Sequence, residues 1–131
     1  MSTDFVRLDQ FDPSVGYKSK RSKFIFILWY FVKCFFFLTP FPWPSSLKAG
    51  LLRAFGARVG SGLVLKPRVN IHFPWNLVIG DHVWIGEEVF ILNFCTVTLG
   101  SHVCVSQQVF LCTGNHDFRD PSFLYKNQPI T

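Results

Sequence analysis

Ile79-Gly80-Asp81-His82-Val83-Trp84-Ile85-Gly86-Glu87-Glu88-Val89-Phe90-Ile91 is the stretch that decides the fold. Ile79, Ile85 and Ile91 recur every six residues, and Val83 and Val89 sit four residues after the first two. A shift of twenty residues toward the N-terminus meets Val59, Leu63, Leu65, Val69 and Ile71. The same shift forward meets Leu99, Val103, Val105, Val109 and Leu111, so all fifteen compared positions are Val, Ile or Leu. Each twenty-residue unit therefore holds three six-residue turns and two extra residues, which fall at Leu77-Val78 and Val97-Thr98. A period of this length is the mark of a repeat architecture. The first and fifth positions of a turn are an even step apart, so in a short extended segment they share one face. Three such segments close a triangular coil, and successive coils stack their apolar columns into one core. Gly60, Gly80 and Gly100 open the units at positions that suit a corner where a Cβ is crowded or φ is positive. A sandwich of short alternating strands is the rival reading, and it does not account for a period held across three units.

A single coil cannot bury its interior, so the stack needs caps. Residues 1–55 are the candidate. Phe24 to Leu38 is an apolar run of fifteen residues interrupted only by Lys33, preceded by the basic cluster Lys18-Ser19-Lys20-Arg21-Ser22-Lys23 and ended by Thr39-Pro40-Phe41-Pro42-Trp43-Pro44. As a helix it is about 22 Å long, against the roughly 30 Å of a bilayer core. Three readings stay open: a helix lying on a membrane or on the protein's own core, a short or tilted span, and a signal peptide. A late start and the lack of a small-x-small site after the run weigh against the last. Leu47, Leu51, Leu52 and Phe55 then lie at helical spacing, with Gly56 as a stop. The expected organisation is an apolar, basic helical cap and membrane-docking segment over 1–55, followed by the coil domain over 56–131.

The 131 residues suffice for one domain of ordinary size, and 49% hydrophobic with 16% charged residues excludes intrinsic disorder. Thirteen Lys and Arg against eight Asp and Glu leave +5, a balance suited to phosphorylated ligands or an anionic membrane surface. The basic residues cluster beside an apolar run and not along a groove-sized face, so no nucleic-acid partner is expected. Cys34, Cys95, Cys104 and Cys112 form no C-x-x-C pair, which points to a reducing compartment without a disulfide framework or structural zinc.

Gly-led six-residue turns of this kind resemble the hexapeptide-repeat acyltransferases. Leu51-Leu52-Arg53-Ala54-Phe55-Gly56-Ala57-Arg58-Val59-Gly60, Pro74-Trp75-Asn76-Leu77, Ile79 to Gly86, and Leu111-Cys112-Thr113-Gly114-Asn115-His116-Asp117 are similar to the colanic acid biosynthesis acetyltransferase branch. The resemblance covers about Leu47 to Thr131. It implies a mainly β fold, a left-handed parallel β-helix of hexapeptide-repeat coils behind the helical cap. It also implies an O-acetyltransferase that moves an acetyl group from acetyl-CoA to a saccharide hydroxyl in exopolysaccharide or capsule assembly. A homotrimer is implied too, on the cytoplasmic side of the membrane, where acceptors are built on lipid carriers.

Such a transfer needs a base that titrates near neutrality, which favours His, and donors aimed at an oxyanion. His82 and His102 share one repeat position at a turn and read as surface corners; His72 lies in the less regular first coil. His116 lies where the period breaks, and Asp117 to about Gln128 reads as a polar loop leaving a rigid scaffold. By the resemblance the catalytic base falls on His116. Asp117 beside it is a candidate to orient the ring or bind acceptor hydroxyls. Asn93, which breaks the apolar rhythm one coil earlier, is the second candidate for substrate binding. Cys95 reads as an inward small hydrophobe and Cys112 as a corner without a neighbouring His, so a cysteine nucleophile is disfavoured. Trp84 and Phe90 point outward and are candidate trimer anchors.

Pro129-Ile130-Thr131 resembles Val97-Thr98 ahead of Leu99-Gly100, as though a further coil were opening. The expectation is a C-terminally truncated family member whose acetyl-CoA contacts lie elsewhere, so no CoA-binding residue is named. No metal is expected, because a zinc enzyme of the γ-carbonic-anhydrase type needs three converging His, and the four here do not show that spacing. A non-catalytic β-helix scaffold or assembly subunit is the alternative from a different class.

Overall fold

The computed structural model describes residues 22–114 and 129–131. Nine short strands wind through three complete coils: β1 (Arg58–Val59), β2 (Val64–Leu65), β3 (Asn70–Ile71), β4 (Leu77–Ile79), β5 (Trp84–Ile85), β6 (Phe90–Leu92), β7 (Val97–Leu99), β8 (Cys104–Val105) and β9 (Phe110–Cys112). They form three parallel sheets, β1-β4-β7, β2-β5-β8 and β3-β6-β9, one on each side of a parallel β-helix. The register repeats the sequence period: Val59 pairs with Ile79, Leu65 with Ile85, Ile71 with Ile91, and Ile79 with Leu99.

Strands of two or three residues hold because each coil bonds to the next along a line of backbone contacts. Gly60 N–H donates to the Ile79 carbonyl at 2.8 Å, Val64 N–H to Val83 at 2.9 Å and His72 N–H to Ile91 at 2.9 Å. Inside run the apolar columns. Val83, Ile85, Val89 and Ile91 of the second coil are fully buried, whereas Val103, Val109 and Leu111 of the third are only partly covered. The third coil thus lines an apolar hollow of about 410 Å³ that Ile130 and Thr131 border.

The glycines divide the roles that the sequence left together. A Cβ on Gly80 would stand 2.6 Å from the Ser101 backbone nitrogen, so close coil-to-coil approach is what requires it. Positive φ falls two residues later, on Gly62 (74°), His82 (56°) and His102 (61°), and at the next corner on Arg68, Glu88 and Gln108. His tolerates this left-handed region better than most residues, and each corner residue stands exposed.

Ahead of the coils, α1 (Lys23–Val32) starts at Ser22, whose Oγ accepts from Ile25 N–H at 3.4 Å, and passes into a wide π-type turn over Lys33–Phe37. The apolar run is therefore not one uniform helix. Leu38 N–H reaches back five residues to the Lys33 carbonyl, and Phe37 packs fully buried against Trp29 at a 5.1 Å ring separation. After the proline-rich turn, α2 (Ser45–Ala54) leads into β1 and buries Ala49 and Leu52.

The first coil has no coil before it, and side chains from α1 and α2 take up its outward-facing backbone groups. Arg53 donates to the Val59 carbonyl at 3.0 Å and the Gly60 carbonyl at 2.9 Å. Lys48 Nζ donates to the Leu65 carbonyl at 3.1 Å, while Ser45 Oγ accepts from Leu65 N–H at 2.9 Å. Trp29 Nε1 donates to the Ile71 carbonyl at 2.9 Å. Each of the three sheets is thereby closed at its first edge, the exposed feature that open sheets must protect.

Candidate functional site

Between the sheet that ends in β9 and the sheet that begins at β1 runs a corner built from the segments Phe73–Asn76, Asn93–Thr96 and Thr113–Gly114. Pro74–Asn76 form a single 3-10 turn at its base. Polar side chains bridge it from coil to coil. Asn93 is fully buried; its Oδ1 accepts from Phe73 N–H at 2.9 Å, and its Nδ2 donates to the Phe73 carbonyl at 2.7 Å and the Asn76 carbonyl at 3.0 Å. Asn76 Nδ2 donates in turn to the carbonyls of Asn93 and Phe94, each at 3.1 Å. One coil on, buried Thr113 accepts from Cys95 N–H at 3.0 Å through Oγ1. Gly114 lies against the Phe94 ring, with no room for a Cβ.

This geometry gives Asn93 a structural task at the corner. Both of its Nδ2 hydrogens are committed to backbone carbonyls and the side chain has no exposed surface, so it ties two coils together at the corner. Asn76 and Thr113 share that task and were not singled out in the sequence. The recurrence of Asn93 and Thr113 at a twenty-residue step was the available signal.

The segment that carries the other two candidates leaves from the same corner. His116 and Asp117 lie outside the described residues. Their attachment is defined on both sides: Thr113 and Gly114 before them, Pro129 and Ile130 after. Ile130 pairs in parallel with Val97, with Thr98 N–H donating to the Ile130 carbonyl at 2.8 Å and Ile130 N–H to the Thr96 carbonyl at 3.1 Å. The match of Ile130-Thr131 to Val97-Thr98 seen in the sequence is thus a physical pairing. A regular coil would bring residue 117 beside Val97; the residue that pairs there is Ile130.

The remaining histidines fall elsewhere. His82 and His102 stack at an exposed corner with ring centroids 5.4 Å apart. His72 is half-buried among Phe26, Phe73 and Phe94, and burial, aided by the Lys33 charge, pushes its pKa down to about 4. It is therefore neutral at physiological pH and enclosed by apolar rings, a setting for packing more than for catalysis. Burial also lowers the pKa values of Lys33 and Lys48. Among the described residues no group of three or more His, Cys, Asp or Glu could hold a metal ion. All four cysteines are free, and Cys112, which ends strand β9 and is not a corner residue, donates from Sγ to the Gly114 carbonyl at 3.2 Å. Trp84 is exposed under Lys66, whose Nζ lies 5.6 Å from the ring centroid, and Phe90 stacks on Phe110 at 5.1 Å.

No family model matches the chain, and no solved structure matches it. Curated proteins do. Over 107 residues, 79% of this chain, it is 37% identical to the protein named colanic acid biosynthesis acetyltransferase WcaF in Escherichia coli K12, and equally to its counterpart in Shigella flexneri. Over 74 residues, 56% of this chain, it is 28% identical to nodulation protein L of Rhizobium meliloti, covering 38% of that protein. The chain spans 57% of the length of the WcaF proteins. Taken with the twenty-residue repeat and the stacked parallel coils, this similarity makes the chain a relative of the hexapeptide-repeat acetyltransferases, the colanic acid biosynthesis proteins among them.

Proposed function

We propose that the protein is an O-acetyltransferase that moves an acetyl group from acetyl-CoA to a saccharide hydroxyl, in exopolysaccharide or capsule biosynthesis, with His116 as general base. The observation that carries the reading is the kinship to two proteins named as colanic acid biosynthesis acetyltransferases. It is supported by the corner at Gly114, where a rigid stack of coils hands over to the segment bearing His116 and Asp117.

In this reaction an imidazole nitrogen of His116 takes the proton of the acceptor hydroxyl as its oxygen bonds to the thioester carbonyl carbon. Hydrogen-bond donors hold the resulting oxyanion. Collapse of the intermediate breaks the C–S bond, and the CoA thiolate takes the proton back from the imidazolium. Asp117 orients the imidazole or binds acceptor hydroxyls. The coils wind left-handed and assemble as a homotrimer, with Trp84 and Phe90 as interface anchors. No metal takes part.

The test is transfer of labelled acetyl from acetyl-CoA to a pool of bacterial saccharides. Label should appear in the saccharide fraction with the intact chain and be lost with His116→Ala. Equal labelling by the variant would remove His116 from the chemistry. Failure of the intact chain to label any acceptor would favour the scaffold reading.

A further inference from the structure

The helix α1 turns its faces the opposite way from a helix bathed in water. Its inner side carries Trp29 and, in the turn that follows, the only charge of the apolar run: Lys33 is 6% exposed, its Nζ lying 5.6 Å from the Tyr30 ring centroid. The outer side carries Phe24, Ile27, Leu28 and Phe31, and Phe35 in the turn that follows continues the stripe at their spacing of three and four. Phe24, Phe31 and Phe35 are 71%, 65% and 64% exposed. The stripe is rigidly presented, because Trp29 and Phe37 are fully buried and the indole of Trp29 is bonded to the first coil.

Charge selects the occupant. Residues 18–38 contain no Asp or Glu, and Lys18, Lys20, Arg21 and Lys23 stand immediately ahead of the stripe in sequence. A second copy meeting this stripe about a two-fold axis would bring two basic clusters together, an arrangement that like charges oppose. An apolar stripe beside uncompensated cations instead fits a surface that is apolar within and anionic at its rim. No helix among the described residues is long and apolar enough to cross a membrane. We infer that α1 docks in the plane of an anionic phospholipid surface, its Phe stripe among the acyl chains and its basic cluster on the lipid phosphates. This inference does not depend on acetyl transfer.

The test is sedimentation of the intact chain with phosphatidylglycerol vesicles and with phosphatidylcholine vesicles. Two variants are compared, Phe24→Ser/Phe31→Ser/Phe35→Ser and Lys18→Gln/Lys20→Gln/Arg21→Gln. The intact chain should bind phosphatidylglycerol far better than phosphatidylcholine, and each variant should lose about tenfold or more of that binding. Thermal unfolding of both variants should match the intact chain, since the replaced Phe side chains are mostly exposed. The inference is overturned if the intact chain ignores phosphatidylglycerol, if it binds both lipids alike, or if the Phe variant binds as well as the parent. A change from oligomer to monomer in the Phe variant, with vesicle binding absent throughout, would assign the stripe to contact between copies and overturn it equally.

Discussion

Trp29, on the N-terminal helix, donates its indole N–H to the backbone carbonyl of Ile71 in the first coil at 2.9 Å, across 42 residues of chain. The contact welds the helical region to the β-helix. It also completes a set in which Arg53, Lys48 and Trp29 each close the first edge of one sheet. Trp29→Phe keeps most of the apolar burial but strands a buried carbonyl, so it should cost about 1–3 kcal/mol. Trp29→Ala adds a cavity and should cost about 3–5 kcal/mol. Urea unfolding of the two variants checks the order, and equal losses would mean that the hydrogen bond contributes nothing beyond packing.

Gly80 and Gly100 occupy the same repeat position but different surroundings. Gly80→Ala sets a methyl against the Ser101 backbone at 2.6 Å, whereas among the described residues the nearest atom to a Cβ on Gly100 is Val103 Cγ2 at 4.0 Å. Gly80→Ala should destabilise by about 1–3 kcal/mol, as overpacking does, and Gly100→Ala should stay within about 0.5 kcal/mol of the parent. Denaturant midpoints of the pair read the difference directly.

Asn93 distinguishes a structural corner from an acceptor contact. Asn93→Leu strands Phe73 N–H and the carbonyls of Phe73 and Asn76 in the interior, and a loss of about 3 kcal/mol or more should follow. Asn93→Asp removes both donors and buries a charge, so it should be no milder. Unchanged thermal stability in both variants would mean that these hydrogen bonds do not hold the corner together.

His72 makes stability depend on pH with a definite sign. Its folded pKa of about 4 lies below the 6.5 of the unfolded chain, so the unfolded state binds the extra proton first. Its contribution is full above pH 6.5 and is lost as pH falls toward 4. Partial exposure of the ring reduces the size of the effect. Thermal melts across that window should show a falling midpoint that flattens in His72→Phe, which keeps the ring contacts with Phe26, Phe73 and Phe94. An identical slope in the variant would assign the pH dependence to other groups.

Val59 to Leu111 could be read almost completely from the sequence, because a short parallel strand between two coils imposes the same inward residues on every turn. The pairing of Ile130 with Val97 was legible for the same reason. What escaped was non-periodic. Nothing in the pattern marks Lys48, yet it is 1% exposed and bonded to the carbonyl of Leu65, which has no coil before it to supply a donor. Asn93 was noticed as a break in the apolar rhythm, but its partners Phe73 and Asn76 lie 20 and 17 residues away, and a break in pattern does not say whether the polar group faces a substrate or a backbone. The positive φ angles went to His82 and His102 and not to the leading glycines, since crowding between coils, invisible in one turn of sequence, claims the glycines first.

The central claim is acyl transfer with His116 as its base, and free-thiol release from acetyl-CoA in the presence of a saccharide acceptor pool tests it most directly. The intact chain should release CoA thiol in an acceptor-dependent manner. His116→Ala should reduce that rate by about 10²–10⁴, the usual worth of a general base, while melting at the parent's temperature. Acceptor-dependent release that persists undiminished in His116→Ala would contradict the account.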